Sequence, residues 1–288
     1  MIPSIDTLVN NIGKLTSFPD IAFRIDEMLC DERSSLTDIT NVIEKDPAVS
    51  AALLRVANSA AYPGMAAVDC IERAVQRVGG RELRELTFAL CAASSFSRIP
   101  NDLIGVGDFW LHCLNTAFIA QHLAEGTPDL RGKSVFTPAL LHDIGQLVMF
   151  NQCPEASVAA LRLSVEQTDG QEPWLAEQKI FGFDHADVGL ALAEAWNFPD
   201  SIKSAIAHHH NPASASEHQC IADVIHVANA AAVMIELESN DLSDAPPIEP
   251  SSLQRTGIDE TGLMEALRSA KMDAASLLEI FAGTSEAA

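Results

Sequence analysis

The stretch ALLHDIGQLVMF, residues 139–150, is apolar except around His142, Asp143 and Gln146. A carboxylate in such surroundings is costly to bury unless a cation or hydrogen-bond donors face it, so other parts of the chain must supply its partner. Imidazole and carboxylate together form the donor set that iron, manganese, zinc or magnesium recruits, and one or two such ions would offset the burial of Asp143. Further donors follow at useful spacings. Asp108 and His112 lie four apart in GDFWLHCLNTAF, which puts them on one helical face. His185 opens the amphipathic stretch HADVGLALAEAW, and SIKSAIAHHHNP ends a helix in His208, His209 and His210. Asp223, His226 and Asn229 recur at three-residue steps. A single histidine on an apolar face is normally a hydrogen-bonded core residue; the convergence of several is what points to a metal.

The elements that must position these residues read as helices throughout, and alternating strands are absent. The expected fold is all-α, a two-lobed helical bundle. Asp46 is a natural N-cap before Pro47, with Val49, Leu53, Val56 and Ala57 as an apolar stripe. Ile71, Ala74, Val75 and Val78 form another, stopped by Gly79. Thr137 and Pro138 repeat the cap-then-proline signal ahead of a helix carrying His142, and Asp184 caps the His185 helix. Boundaries are expected at SRIPNDLIGVGD, residues 97–108, and at the acidic, proline-rich ESNDLSDAPPIEPSS, residues 238–252, read as a solvated loop before short terminal helices. This gives an N-terminal lobe over residues 1–100, a histidine-bearing lobe over 101–240, and a loop with C-terminal helices over 241–288.

The formal net charge of −22 repels phosphate backbones and anionic headgroups, so nucleic-acid and membrane partners are not expected. The acidic surface itself reads as a solvated face. No basic, apolar leader opens the sequence and no charge-free apolar run reaches the length of a spanning helix, which gives a cytoplasmic expectation. Cys30, Cys70, Cys91, Cys113, Cys153 and Cys220 show no CxxC pairing and read as reduced core residues. Trp110, Trp174 and Trp196 are expected as core anchors and His122 as exposed. GVGDF lacks the third glycine of a dinucleotide fingerprint, and no Walker loop is present. Cys113 is a poor candidate nucleophile, because adjacent helical residues point about 100° apart and His112 faces elsewhere.

The HD doublet, with a histidine some thirty residues earlier and further histidines later, resembles the HD superfamily of metal-dependent phosphohydrolases. LTSFPDIAFRIDEML, DPAVSAALLRVANSAAY and IERAVQRVGGRELREL resemble the N-terminal lobe of the HDOD family, the HD-related output domains of bacterial signalling proteins. The resemblance implies that His112 is the first histidine of the HD pattern and that His142 and Asp143 are the signature doublet. His185, His209 and His210 match the additional histidines of the HD-GYP phosphodiesterases, and Asp108 an additional carboxylate ligand. Two positions depart. Asn229 stands where the pattern has its last aspartate, and it brings an amide oxygen but no charge. Gln146 stands where HDxGK has lysine, and the GYP triplet is missing. Asp223 is the carboxylate that could substitute for the missing charge, although it lies about 9 Å along a helix from Asn229.

The reading that follows is a non-enzymatic signal-transduction output module, acting through protein contacts with partners such as a sensor kinase or a receiver domain, with homodimerisation open and the metal site retained. The alternative is a metal-dependent phosphohydrolase acting on a cyclic dinucleotide or other phosphate ester, in which Asp143 and Gln146 would be the catalytic candidates. A third reading is a metal sensor, redox-responsive through a ferrous centre.

Overall fold

Local signals set several of the helix ends. The Asp46 carboxylate accepts from the backbone N–H groups of Ala48 and Val49, and Asp184 caps its helix in the same way, its own N–H donating in return to the Asp187 carboxylate. Gly79 closes a helix at φ 85°, a conformation that suits glycine. The computed structural model describes residues 2–15, 19–31, 33–58, 67–96, 105–131, 133, 135–166 and 172–286. No strand occurs among them, and the fold is all-α.

In chain order the helices are α1 (Ile5–Leu15), α2 (Asp20–Cys30), α3 (Leu36–Ile43), α4 (Pro47–Ala57), α5 (Ile71–Val78), α6 (Gly80–Phe96), α7 (Val106–Gly126) and α8 (Phe136–Leu140). They continue with α9 (Ile144–Gln152), α10 (Pro154–Glu166), α11 (Pro173–Phe181), α12 (His185–Ala195), α13 (Asp200–His208), α14 (Gln219–Glu236), α15 (Pro250–Thr256) and α16 (Glu260–Glu286). Residues 1–17 and 99–271 form one unit, and residues 18–98 with 272–288 form a second.

In the second unit, α2 to α6 close around Ile25, Ile43, Leu53, Val56, Ala74 and Leu83, and Phe23 meets Phe88 edge to face. The stripes read from the sequence, Val49 to Ala57 and Ile71 to Val78, are buried there. In the first unit α7 packs along α14, where Ala117 and Ala120 on one side and Ala228 and Ala231 on the other are fully buried. Side chains this small let two long helices approach closely. Helix α14 is long and apolar enough to span a membrane by composition, yet 67% of it is buried, as suits a core helix. The N-terminal α1 packs on α12 and α9, within the unit that carries the histidines.

Several local expectations are corrected. The helix expected to be capped by Thr137 starts two residues earlier, with Val135 at the cap position. Pro138 is then the third helical residue, where a missing N–H has no acceptor to lose. The helix ends at Leu140, so His142 and Asp143 sit in a turn before α9 rather than within a helix. The terminal helices are not both short, since α16 runs for 27 residues. The segment 238–252 is more than a solvated loop, because Glu249 N–H donates to His226 Nε2 at 3.0 Å and Asp244 to Pro247 line a cavity. Of the expected linker 97–108, residues 97–104 lie outside the described residues. Cys91 and Cys113 are buried, but Cys30 and Cys70 are exposed, and Cys153 and Cys220, each at a helix end, are half-buried. His122 is half-buried rather than exposed.

Candidate metal centre

The close passage of α9 and α12 brings Asp143 to the histidines. A Cβ on Gly145 would lie 2.0 Å from the His185 carbonyl oxygen, and one on Gly189 would lie 2.7 Å from Ile206 and 3.3 Å from the Gly145 nitrogen. Both glycines are required by this approach. Asp143 occupies the N-cap position of α9 but makes no capping bond; its carboxylate turns inward instead.

Four histidine nitrogens surround that carboxylate. Oδ1 lies 3.3 Å from His142 Nε2, 3.1 Å from His185 Nε2 and 3.4 Å from His209 Nε2, while Oδ2 lies 3.6 Å from His112 Nε2. His210 Nε2 is 2.9 Å from His185 Nε2. The donors fall into two groups, His112 with His142 and Asp143, and His185 with His209 and His210. Within each group the donor atoms lie within 4.8 Å of one another.

The opposite edge of each ring is tied down. His142 Nδ1 lies 2.7 Å from Ala139 O, and His209 Nδ1 lies 2.9 Å from Ile206 O. His185 Nδ1 lies 2.6 Å from Glu177 Oε2, and His112 Nδ1 lies 2.5 Å from Glu236 Oε1. Carbonyl and carboxylate oxygens only accept, so each Nδ1 carries the proton and each Nε2 turns toward Asp143. This is the outer support that fixes metal-binding histidines. Two atoms at the centre, His142 Nε2 and Asp143 Oδ1, are buried with no hydrogen-bond partner. Nitrogen lone pairs and a carboxylate oxygen left facing one another without donors fit a cation, and the residues present suit a divalent metal.

Burial opposes charge on His112, Asp143, His185, His209 and His210. Asp143 nevertheless stays well below the usual carboxylate range, because His142 and His185 adjoin it. His185 is pushed well above the usual imidazole value: burial works against its charge, but Glu177 and Asp143 outweigh it. Burial likewise opposes the charge on His112, and the Glu236 carboxylate raises it. Burial takes His209 down to about 4, and burial with the neighbouring His209 and His185 takes His210 well below the usual value. A metal at His185 Nε2 must displace a proton, so the two compete there.

Six of the eight residues singled out as ligand candidates meet in these two groups. Asp108 and Asn229 line the adjoining cavity without joining either group, although the Asn229 amide bonds to His112. Asp223 is withdrawn from the site altogether. It accepts from Ser252 Oγ at 2.7 Å and from Arg255 Nε and Nη2 at 2.8 and 2.6 Å. His226 is also committed, with Nδ1 donating to His209 O at 2.7 Å.

Sequence reasoning missed Glu177, Glu236 and the role of Trp174. Glu236 had a signal, since Asn229, Val233 and Glu236 follow one face of α14 at helical spacing and all line the cavity. Trp174 is not a core anchor: it is half-buried, stacks on His210 at 5.2 Å and 20°, and donates to Glu172. Trp110 and Trp196 are buried as expected. The cavity has a volume of about 910 Å³, and Gln146 faces it with its amide donating to Asp143 Oδ2 at 3.2 Å.

An all-α bundle with an HD doublet among converging histidines defines the HD-type class. The HDOD domain family matches residues 15–212, and the chain belongs to that family. A protein of Shewanella amazonensis SB2B, provisionally named a phosphohydrolase, is 26% identical with a TM-score of 0.72, over 95% of this chain and 97% of that one. An HDOD domain protein of unknown function from Geobacter sulfurreducens is 24% identical with a TM-score of 0.70, over 97% of each chain. A protein of Marinobacter aquaeolei VT8, provisionally named a signal transduction protein, shares the fold at 22% identity and a TM-score of 0.75, over 97% of this chain and 60% of that one. Among curated proteins, an uncharacterized protein of Treponema pallidum (strain Nichols) is 26% identical over 226 residues, which is 77% of this chain and 43% of the relative's own length.

Proposed function

We propose that this chain is a non-hydrolytic signal-output module that retains a metal centre. His112, His142 and Asp143 would hold one divalent ion, and His185, His209 and His210 a second, with Asp143 Oδ1 near both sets. Bound metal would supply a Lewis-acidic centre, held by residues of α7, the turn before α9, α12 and the end of α13. The chain's own residues do the positioning: Glu177 and Glu236 hold His185 and His112, and His226 links the His209 backbone to the segment before α15 through Glu249. Output would pass through contact with a signalling protein, such as a sensor kinase or a receiver domain.

One observation carries the non-hydrolytic reading. Gln146 takes the place of the lysine of HDxGK and spends its amide on Asp143, and no lysine or arginine lines the cavity among the described residues. A phosphate ester would enter a pocket rich in carboxylates with no lysine or arginine to neutralise it. The test is an assay of metal-loaded protein against bis-p-nitrophenyl phosphate and a cyclic dinucleotide. No turnover above the Asp143→Ala variant is expected, and turnover that depends on Asp143 would overturn the reading.

A further inference from the structure

We infer that the cavity beside the metal centre is a receptor pocket for a small organic cation, an amine or guanidine on an apolar stem. The inference deepens the reading above and rests on it, since a hydrolytic pocket for phosphate esters would demand the opposite charge. At about 910 Å³ the cavity has the size of a small-molecule site. Its charge is predominantly negative: Asp108, Asp143, Glu172, Glu236 and Asp244 line it against the imidazoles of His112 and His185, and no lysine or arginine does so among the described residues. Even with a divalent ion on each histidine group, these carboxylates leave the lining without net positive charge.

The lining differs from a solvated acidic surface in two respects. The Asp143 side chain is 7% exposed and faces the cavity with Oδ1 lacking any hydrogen-bond donor. The remaining wall is apolar and aromatic, with Phe109, Trp174, Val233, Pro246 and Pro247. An indole and a phenyl ring beside carboxylates favour a cation carrying a hydrocarbon stem, through ring contact as well as charge. Asp108 and Asp244 are exposed, so a cationic head group can meet them without the cost of desolvating a buried carboxylate. Phosphates, nucleotides and fatty acids are excluded by the same charges.

The probe is 1,5-diaminopentane, titrated by calorimetry into the full chain at low salt, before and after chelation of metal, with hexanoate and adenosine monophosphate as anionic comparisons. One diamine per chain is expected, with neither anion bound. The Asp108→Asn/Asp244→Asn double variant is expected to weaken the diamine about tenfold while keeping its metal content. Equal affinity in that variant, or an anion bound as tightly as the diamine, overturns the inference. A tetralysine peptide that binds more than tenfold tighter than the diamine would assign the charge to a protein partner and overturn the small-molecule source. Metal content read on the same samples separates the two claims. Acid-dependent diamine binding without metal sinks the metal centre alone, and metal without diamine binding sinks the pocket alone.

Discussion

Asp143 and Asp223 are both buried carboxylates in the same helical unit, and they resolve the cost of burial in opposite ways. Asp223 is saturated by Ser252 and a two-pronged contact from Arg255, which pins α15 to α14. Asp143 has an oxygen with no hydrogen-bond donor, surrounded by imidazole nitrogens at 3.1 to 3.4 Å. A buried carboxylate matched by an arginine holds the fold together; one left open among imidazole nitrogens is poised for a metal ion. Asp184 and Asp46 sharpen the contrast, because each spends its carboxylate on capping a helix, a role that Asp143 also had the position to fill and does not.

The most damaging substitution should be the one that prevents Asp143 from reaching its surroundings at all. Gly145→Ala drives a methyl into the His185 carbonyl oxygen and the Gly189 nitrogen, backbone atoms that cannot rotate aside. Denaturant unfolding should show a loss above about 3 kcal/mol, together with loss of metal.

Asp223→Ala comes next. It strands a partly exposed arginine and a buried serine hydroxyl, and should cost about 2 to 3 kcal/mol while leaving metal per folded chain unchanged. A metal content that falls with Asp223→Ala would erase the distinction between the two aspartates.

Asp143→Ala should do the reverse. In the presence of chelator its stability should lie within about 1 kcal/mol of the parent, while added metal, which raises the Tm of the parent, should leave that of the variant unmoved.

The last test concerns acid. His209 drops from 6.5 to about 4 on folding, so between those values the unfolded chain binds the extra proton and stability falls as pH falls. In chelator, the parent should lose up to about 1.4 kcal/mol per pH unit more than His209→Gln across that window. Parallel stability curves for the two would contradict the neutral, buried state of His209.

How much of this was legible in the sequence depends on the range over which each residue acts. Asp46, Gly79 and Asp184 were readable because a cap works through its own neighbouring backbone. The all-α fold and the apolar stripes of α4 and α5 were readable for the same reason. The turn at His142 was not, since residues 139–144 contain neither proline nor glycine. The break follows from α9 seating Gly145 against α12, a contact made 40 residues along the chain at His185. Glu177 and Glu236 act on histidines 8 and 124 residues away, a pairing that only the fold creates. Asp223 looked like a spare ligand because its saturation by Arg255, 32 residues on, leaves no mark in the spacing.

The central claim is that the atoms left open around Asp143 hold a metal. The direct measurement is elemental mass spectrometry of the full chain, purified with and without oxygen, beside His142→Ala and Asp143→Ala variants shown by circular dichroism to be folded. Near-stoichiometric metal in the parent, lost in both variants, is the expected result. A parent free of metal in both preparations, or variants that retain what the parent holds, would contradict the account.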